Sequence, residues 1–252
     1  GLPVNDDFNG ERQEGVGLYQ VTQRDGRRCS SAVAYLAPAR GRRNLEVVTR
    51  ALATRVLFDR GRATGVEYAI RGRLERVCAA EVVLCGGAVN SPQLLLLSGV
   101  GAAAALAQHG IDVVADLPGV GANLQDHIDY CTLYRCRTTT TYDFGKPAEA
   151  AVAFRYVLTR SGPGASNVAE AGAFARTDRA PDSRPDVQLH FVPAQLDDHG
   201  RNRLPGHGYT IHACGLRPAS RGRIELASAD PRAKPLIRPR YLTAPEDVAT
   251  LL

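Results

Sequence analysis

Residues Gly99-Val100-Gly101-Ala102-Ala103-Ala104 spell G-x-G-x-x-A, the spacing of a dinucleotide-binding turn. Such a turn lets backbone N–H groups at a helix N-terminus approach a pyrophosphate. Leu94 to Leu97 would then be the preceding strand, Ala102 to His109 the helix, Ile111 to Ala115 the next strand, and Asp116 the acid that meets a ribose. The spacing argues against an NAD site. A βαβ unit takes about 30 residues, and its acid lies about 20 residues beyond the glycines. Here the helix is too short and Asp116 comes too early. Ser91-Pro92 also starts a helix better than it enters a buried strand. The expectation is a tight helix–turn–helix whose glycines allow close packing. An NAD-dependent dehydrogenase is the least favoured function.

The other reactive side chains are scattered. Cysteines stand at 29, 78, 85, 131, 136 and 214. None form C-x-x-C, and no histidine lies at zinc spacing from them, so the expectation is buried reduced thiols and no metal. Asp197-Asp198-His199 has metal-binding residue types, but the polar, Gly-rich stretch from Asp197 to Gly208 explains it as a loop. His127 closes the run Asn123-Leu124-Gln125-Asp126-His127 and should hold a loop by side-chain hydrogen bonds. His207 and His212 have weaker claims.

The positioning elements follow from periodicity. Leu45 to Val48, Thr54 to Phe58, Ala63 to Tyr68 and Leu74 to Cys78 are rich in β-formers and punctuated by Asp59-Arg60-Gly61 and Arg71-Gly72, which predicts an antiparallel meander. Glu81 to Cys85 is a continuous apolar run, as in a central buried strand. Ser91-Pro92 opens a helix through Leu97, and Ser30-Ser31 a short one ended by Pro38. Pro147 to Arg160 carries a wide apolar helical stripe ended by Ser161-Gly162-Pro163-Gly164. Strands are expected at Val187 to Val192, Tyr209 to Cys214 and Arg223 to Leu226.

The 252 residues, 44% hydrophobic and 23% charged, can bury a globular core. No apolar run approaches the roughly 20 residues of a membrane-spanning helix. The net charge of +5 comes from arginines, with only Lys146 and Lys234 as lysines. They are spread along the chain among acids, which points to a solvated surface and away from nucleic acid. Gly1 to Asp7 has no basic-then-apolar leader pattern, and methionine is absent, which suits a segment of a longer chain.

The run from Gly87-Ala88-Val89-Asn90-Ser91-Pro92-Gln93 through Leu94-Leu95-Leu96-Leu97-Ser98-Gly99-Val100-Gly101 resembles the second signature of the glucose-methanol-choline (GMC) oxidoreductase family. His109-Gly110-Ile111, Leu117-Pro118-Gly119-Val120-Gly121 with the Asn123 to His127 run, Arg27-Arg28 through Leu36, and Pro218-Ala219-Ser220-Arg221-Gly222 are similar to the family as well. The resemblance covers essentially the whole chain. It implies an α/β (α+β) fold: part of an FAD-binding, Rossmann-like domain with the β-meander over residues 1–127, and part of an antiparallel-sheet substrate-binding domain over 128–252. It also implies oxidation of an alcohol CH–OH group, with hydride passing to flavin N5 and a histidine taking the hydroxyl proton. The substrate expected is a primary aliphatic alcohol or choline, and Ser166 to Phe174 with Asp198-His199-Gly200 looks more like the aliphatic branch. The resemblance leaves the electron acceptor open and suggests a cytoplasmic protein, with a peripheral place at the inner membrane as the alternative.

By position in the family pattern, Ala53 resembles the residue whose backbone meets the FAD adenine, and Gly86 and Gly87 let backbones pack beside the cofactor. Glu170 resembles the pocket carboxylate that faces a substrate cation. His190 resembles a substrate-contacting histidine on a strand. The phosphate-binding glycine turn and the catalytic histidine of the family have no match here; the histidine is expected beyond Leu252. A non-catalytic remnant or interaction module is therefore the alternative. These 252 residues alone should neither oxidise choline or hexanol in a dye-linked assay nor keep FAD through gel filtration. A stoichiometric flavin spectrum after filtration would refute that.

Overall fold

The computed structural model describes residues 1–139 and 141–252, and the side chain of His199, and with it the Asp197-Asp198-His199 cluster, lies outside the described set. The chain forms two compact units. One holds Gly1–Leu45, His127–Pro218 and Pro245–Leu252; the other holds Glu46–Asp126 and Ala219–Ala244. The chain changes unit at 45/46, 126/127, 218/219 and 244/245. The units are thus interleaved rather than the successive blocks 1–127 and 128–252. The reason is pairing: Gly15–Leu18 adds to the sheet through Ala171–Ala175, while Gly222 bridges back to Leu124.

The first unit is built on a five-stranded antiparallel sheet, in the order Gly15–Leu18, Ala171–Ala175, Val187–Val192, Gly208–Gly215, Asp129–Arg135. Its register aligns Gly17, Gly172, His190, His212 and Cys131 in one row. Residues opposite one another share a face, and so do their i+2 neighbours. Phe8 closes one end, edge-on to Phe174 with ring centroids 5.1 Å apart. Thr210 is fully buried, with its hydroxyl donating to the Ala194 carbonyl at 2.8 Å and accepting from Leu196 N–H at 3.0 Å. Those bonds anchor a small hairpin, Leu196–Asp197 with Asn202–Arg203, inside the stretch expected to be only a loop.

The helix Gly145–Thr159 covers the expected stripe and ends at Arg160, which takes a left-handed φ of 54°. It packs through Ala148, Val152 and Tyr156, whereas Phe154, Val157 and Leu158 stay exposed at 66%, 63% and 66%. The short helix after Ser31 does not stop at Pro38. A π-helical turn, Ala32–Leu36, runs on into Ala37–Ala39, with Pro38 in the first turn of that last piece, where its missing N–H costs nothing.

The second unit holds the meander Leu52–Asp59, Arg62–Ile70, Arg73–Cys78. Both of its two-residue turns, Arg60-Gly61 and Arg71-Gly72, have positive φ throughout, the backbone twist that joins such strands tightly. Glu67, largely buried on the middle strand, is held by Arg76 at 2.9 and 3.0 Å and by the Thr54 hydroxyl at 3.2 Å. The Arg76 hydrogen bonds keep its carboxyl below the usual range.

Two expected strands do not form. Leu45 to Val48 and Glu81 to Cys85 lie outside any ladder among the described residues, and Val83 is 74% exposed. Apolar runs become strands only where another strand meets their N–H and C=O groups. The next helix, Gly87–Leu97, begins four residues before Ser91, so Pro92 sits inside it. Its end is fastened to the meander by Ser98, whose hydroxyl accepts from Val56 N–H at 2.8 Å and donates to the Leu94 carbonyl at 2.5 Å.

The G-x-G-x-x-A run forms a two-residue strand, Val100–Gly101, a five-residue helix, Ala103–Ala107, and a parallel partner, Ala115–Asp116. A Cβ on Gly99 would lie 2.3 Å from the Asp112 carbonyl oxygen, and one on Gly101 2.4 Å from Leu96, so the glycines serve close packing. Asp116 accepts from Ala103 N–H at 2.9 Å and occupies the helix start itself. The core of this unit is Leu96, Leu97, Leu106 and Leu226 with Ile111 and Val120 against it. Leu106 is 1% exposed. Leu106→Ala should cost about 2–5 kcal/mol, as expected for a core leucine that leaves a cavity. Its urea midpoint should fall with an unchanged slope.

Candidate functional site

The polar face of the five-stranded sheet carries Glu170 and His190. The ladder continues one residue beyond Ala171, because Tyr19 N–H donates to the Glu170 carbonyl at 2.9 Å. Alternation then places Glu170 on the face of Gly172 and His190. Tyr142 donates its phenol hydrogen to the Glu170 carboxylate. Burial and that acceptor together raise the Tyr142 phenol above its usual range.

His190 is gripped by Tyr19. The Tyr19 oxygen lies 3.0 Å from His190 Nδ1 and 3.1 Å from the Leu189 carbonyl, and it accepts from Gln188 Nε2 at 3.1 Å. The two rings are 5.5 Å apart. Tyr19 reaches across the strand Ala171–Ala175 only because residue 172 is glycine: a Cβ there would lie 2.0 Å from the Tyr19 oxygen. Burial pushes His190 below its ordinary value, helped by His212 and His127 and opposed by Asp129. The imidazole is therefore neutral near neutral pH.

One cluster escaped the sequence. His212 Nδ1 lies 2.6 Å from Asp129 Oδ2 and 3.0 Å from Cys131 Sγ. Burial, followed by Asp129, pushes the Cys131 thiol up to about 11, so it is protonated and a poor nucleophile. The sequence signal was only Asp129-x-Cys131 on a strand. The histidine is 81 residues away.

The family-implied cofactor residues gather in the other unit. A cavity of about 570 Å³ is lined by Ala53 and Gly86 together with Leu52, Leu84, Asn90 and Leu94. Gly87 follows Gly86 directly, begins the helix Gly87–Leu97, and takes φ +74°. A Cβ on Gly86 would crowd Ser91 N and Asn90 at 3.0–3.1 Å. Ala53 lies on the outer strand of the meander, whose far edge has no ladder partner among the described residues. Apolar walls, a free strand edge and a glycine-lined helix start suit a flat heteroaromatic ring such as adenine, and the volume lies within the range of ligand sites. The residues present thus fit the adenine end of FAD.

The depressed His190 gives a pH signature. Above its ordinary value of 6.5 the ring is neutral in both folded and unfolded chains. As pH falls below that value, the unfolded chain takes up a proton that the fold resists, so stability declines. Denaturant midpoints between about pH 7 and 5 should fall less steeply for His190→Gln than for the parent. Equal slopes would contradict the assignment.

Comparison with known proteins matches this architecture. The GMC oxidoreductase profile matches residues 1–129 in its N-terminal part and 218–252 in its C-terminal part. An alcohol dehydrogenase [acceptor] from Pseudomonas putida is 49% identical over all of this chain, which spans 46% of that protein. The mitochondrial choline dehydrogenase of Homo sapiens is 42% identical over 98% of the chain and 42% of its own length. The chain thus spans under half the length of these relatives. The crystal structure of pyridoxine 4-oxidase from Mesorbium loti superposes with a TM-score of 0.81 at 27% identity, over 98% of this chain and 45% of that one. On these matches and this fold, the chain belongs to the GMC oxidoreductase family.

Proposed function

We propose that this chain is part of an FAD-dependent oxidoreductase that oxidises the CH–OH group of a small alcohol, a primary aliphatic alcohol or choline. The observation that carries the proposal is the shared sheet face of Glu170 and His190, supported by family membership and by likeness to alcohol and choline dehydrogenases. The higher identity to the alcohol dehydrogenase favours the aliphatic substrate. The unit with the meander takes the cofactor side, with Ala53, Gly86 and Gly87 holding the adenine end. The sheet unit takes the substrate side. FAD, when bound, supplies the two-electron acceptor.

The chain's own residues bind and orient. Glu170 offers a carboxylate that needs no proton to hold charge, and Tyr142 fixes its direction. His190 is engaged by Tyr19 through Nδ1, which leaves Nε2 as the ring nitrogen to meet a substrate oxygen. A neutral imidazole suits hydrogen bonding to a hydroxyl that must lose its proton, since a cationic one has no free lone pair to accept from that hydroxyl.

No helix among the described residues is long and apolar enough to cross a membrane. A cytoplasmic place is proposed, with peripheral contact at the inner membrane as the alternative, and the exposed Phe154, Val157 and Leu158 are the surface that would make it. Phe154→Asp should then abolish sedimentation with anionic vesicles, whereas a parent protein that stays in the supernatant rules the contact out.

Glu170→Gln tests the pocket in the FAD-loaded protein that contains this chain. Binding of choline should weaken by about 1–3 kcal/mol, while hexanol binding changes little. Equal losses for both substrates would exclude a cation-facing role, and unchanged binding of both would remove Glu170 from the site.

A further inference from the structure

The geometry points to a metal site at the edge of the sheet, in which Asp129, Cys131 and His212 form a three-donor set for a zinc-type divalent ion. The donor atoms are Asp129 Oδ2, Cys131 Sγ and His212 Nδ1, separated by 2.6, 3.0 and 3.5 Å. All three lie within 4.8 Å of one another.

The ladder itself builds the set. Asp129 and Cys131 are two residues apart on one strand and share a face, and His212 is the register partner of Cys131 on the next. Donors on paired strands are held more firmly than donors on a loop.

The contact pattern separates a metal site from a nucleophilic triad. In a triad the nucleophile and the carboxylate meet opposite nitrogens of the imidazole, so a proton can pass through the ring. Here Cys131 and Asp129 meet the same nitrogen, Nδ1. That arrangement cannot relay a proton from thiol to carboxylate through the ring. Three donors converging on one point is what an ion requires.

Binding would displace the Cys131 proton to solvent, and thiolate, imidazole and carboxylate together suit zinc, which takes them at about 2.0–2.3 Å in a tetrahedron. Tetrahedral bonds of that length put donors about 3.3–3.6 Å apart. The Cys131–Asp129 spacing already agrees, and the two spacings to His212 need to open by roughly 0.5–0.7 Å, within the reach of small side-chain rotations. Asp129–Arg135 is the outer strand, and the Asp129 and His212 side chains are 29% and 17% exposed, so an ion has a path in and a fourth position stays open to water. The three donors include neither Glu170 nor His190, although His212 is the register partner of His190 and so stands beside it.

Chelator-stripped protein titrated with Co²⁺ and then Zn²⁺ tests the site. One equivalent of Co²⁺ should bind, with a sulfur-to-cobalt absorption band in the near ultraviolet that Zn²⁺ abolishes. Zn²⁺ should also slow alkylation of Cys131, followed by peptide mapping. Changes outside a metal's ligand shell already cost roughly 10–100-fold in affinity, so Cys131→Ser and His212→Ala should each weaken binding at least tenfold. Cys78→Ser, at an exposed cysteine outside the cluster, should leave it unchanged. If either ligand variant fails to fold, protection of Cys131 in the parent decides the matter. No bound cobalt, binding without the sulfur band, or an alkylation rate indifferent to Zn²⁺ would overturn the site and leave a hydrogen-bonded cluster only.

Discussion

The alternation of the five-stranded antiparallel sheet governs everything on its polar face. Gly17, Gly172, His190, His212 and Cys131 stand in one row because each pair of strands is in a single register. A slip of one residue in any strand would turn its contribution to the opposite face. Gly172 leaves the space through which Tyr19 reaches His190, while a Cβ on Gly17 would meet the Asn5 carbonyl oxygen. The residues at the other end have no such space, and there the side chains of His212, Cys131 and Asp129 meet one another. One register therefore produces an aromatic clamp at one edge and a donor cluster at the other.

The second unit depends on a different device. The end of its helix Gly87–Leu97 is fixed by the buried Ser98, which bonds both Val56 of the meander and Leu94 of the helix. With the helix end held, Leu96 and Leu97 face Leu106 and Leu226, and the helix start opens on the cavity beside Ala53. The packing that stabilises the unit and the cradle that suits a ring are thus two ends of the same helix.

Charge plays a smaller part than the net value of +5 suggests. Arg184 pairs with Asp182, Arg203 with Asp143 and Glu149, and Arg223 and Arg238 with Glu225. These are solvent-facing pairs, each of little energetic weight. Glu67 is the exception, since its carboxylate is mostly removed from water and needs both Arg76 and Thr54.

Local chemistry determined a good part of this protein. Glycines after Arg60 and Arg71 dictated tight hairpins, β-formers dictated three strands of the meander and the strands Val187–Val192 and Gly208–Gly215, and the stripe after Pro147 dictated a helix. The family motifs likewise named Ala53 and Gly86, which line one cavity. Partners at long range decided the rest. Leu45 to Val48 and Glu81 to Cys85 have strand-like composition, yet a strand exists only when another meets its backbone groups. Pro92 was read as a helix start because its ring is easiest there, while the helix begins at Gly87 and carries Pro92 inside it. His212 had only a weak claim in the sequence, and no sequence pattern joins it to a thiol 81 residues away. Periodicity specifies which way a side chain faces on its own strand; only the register between distant strands decides what it faces there.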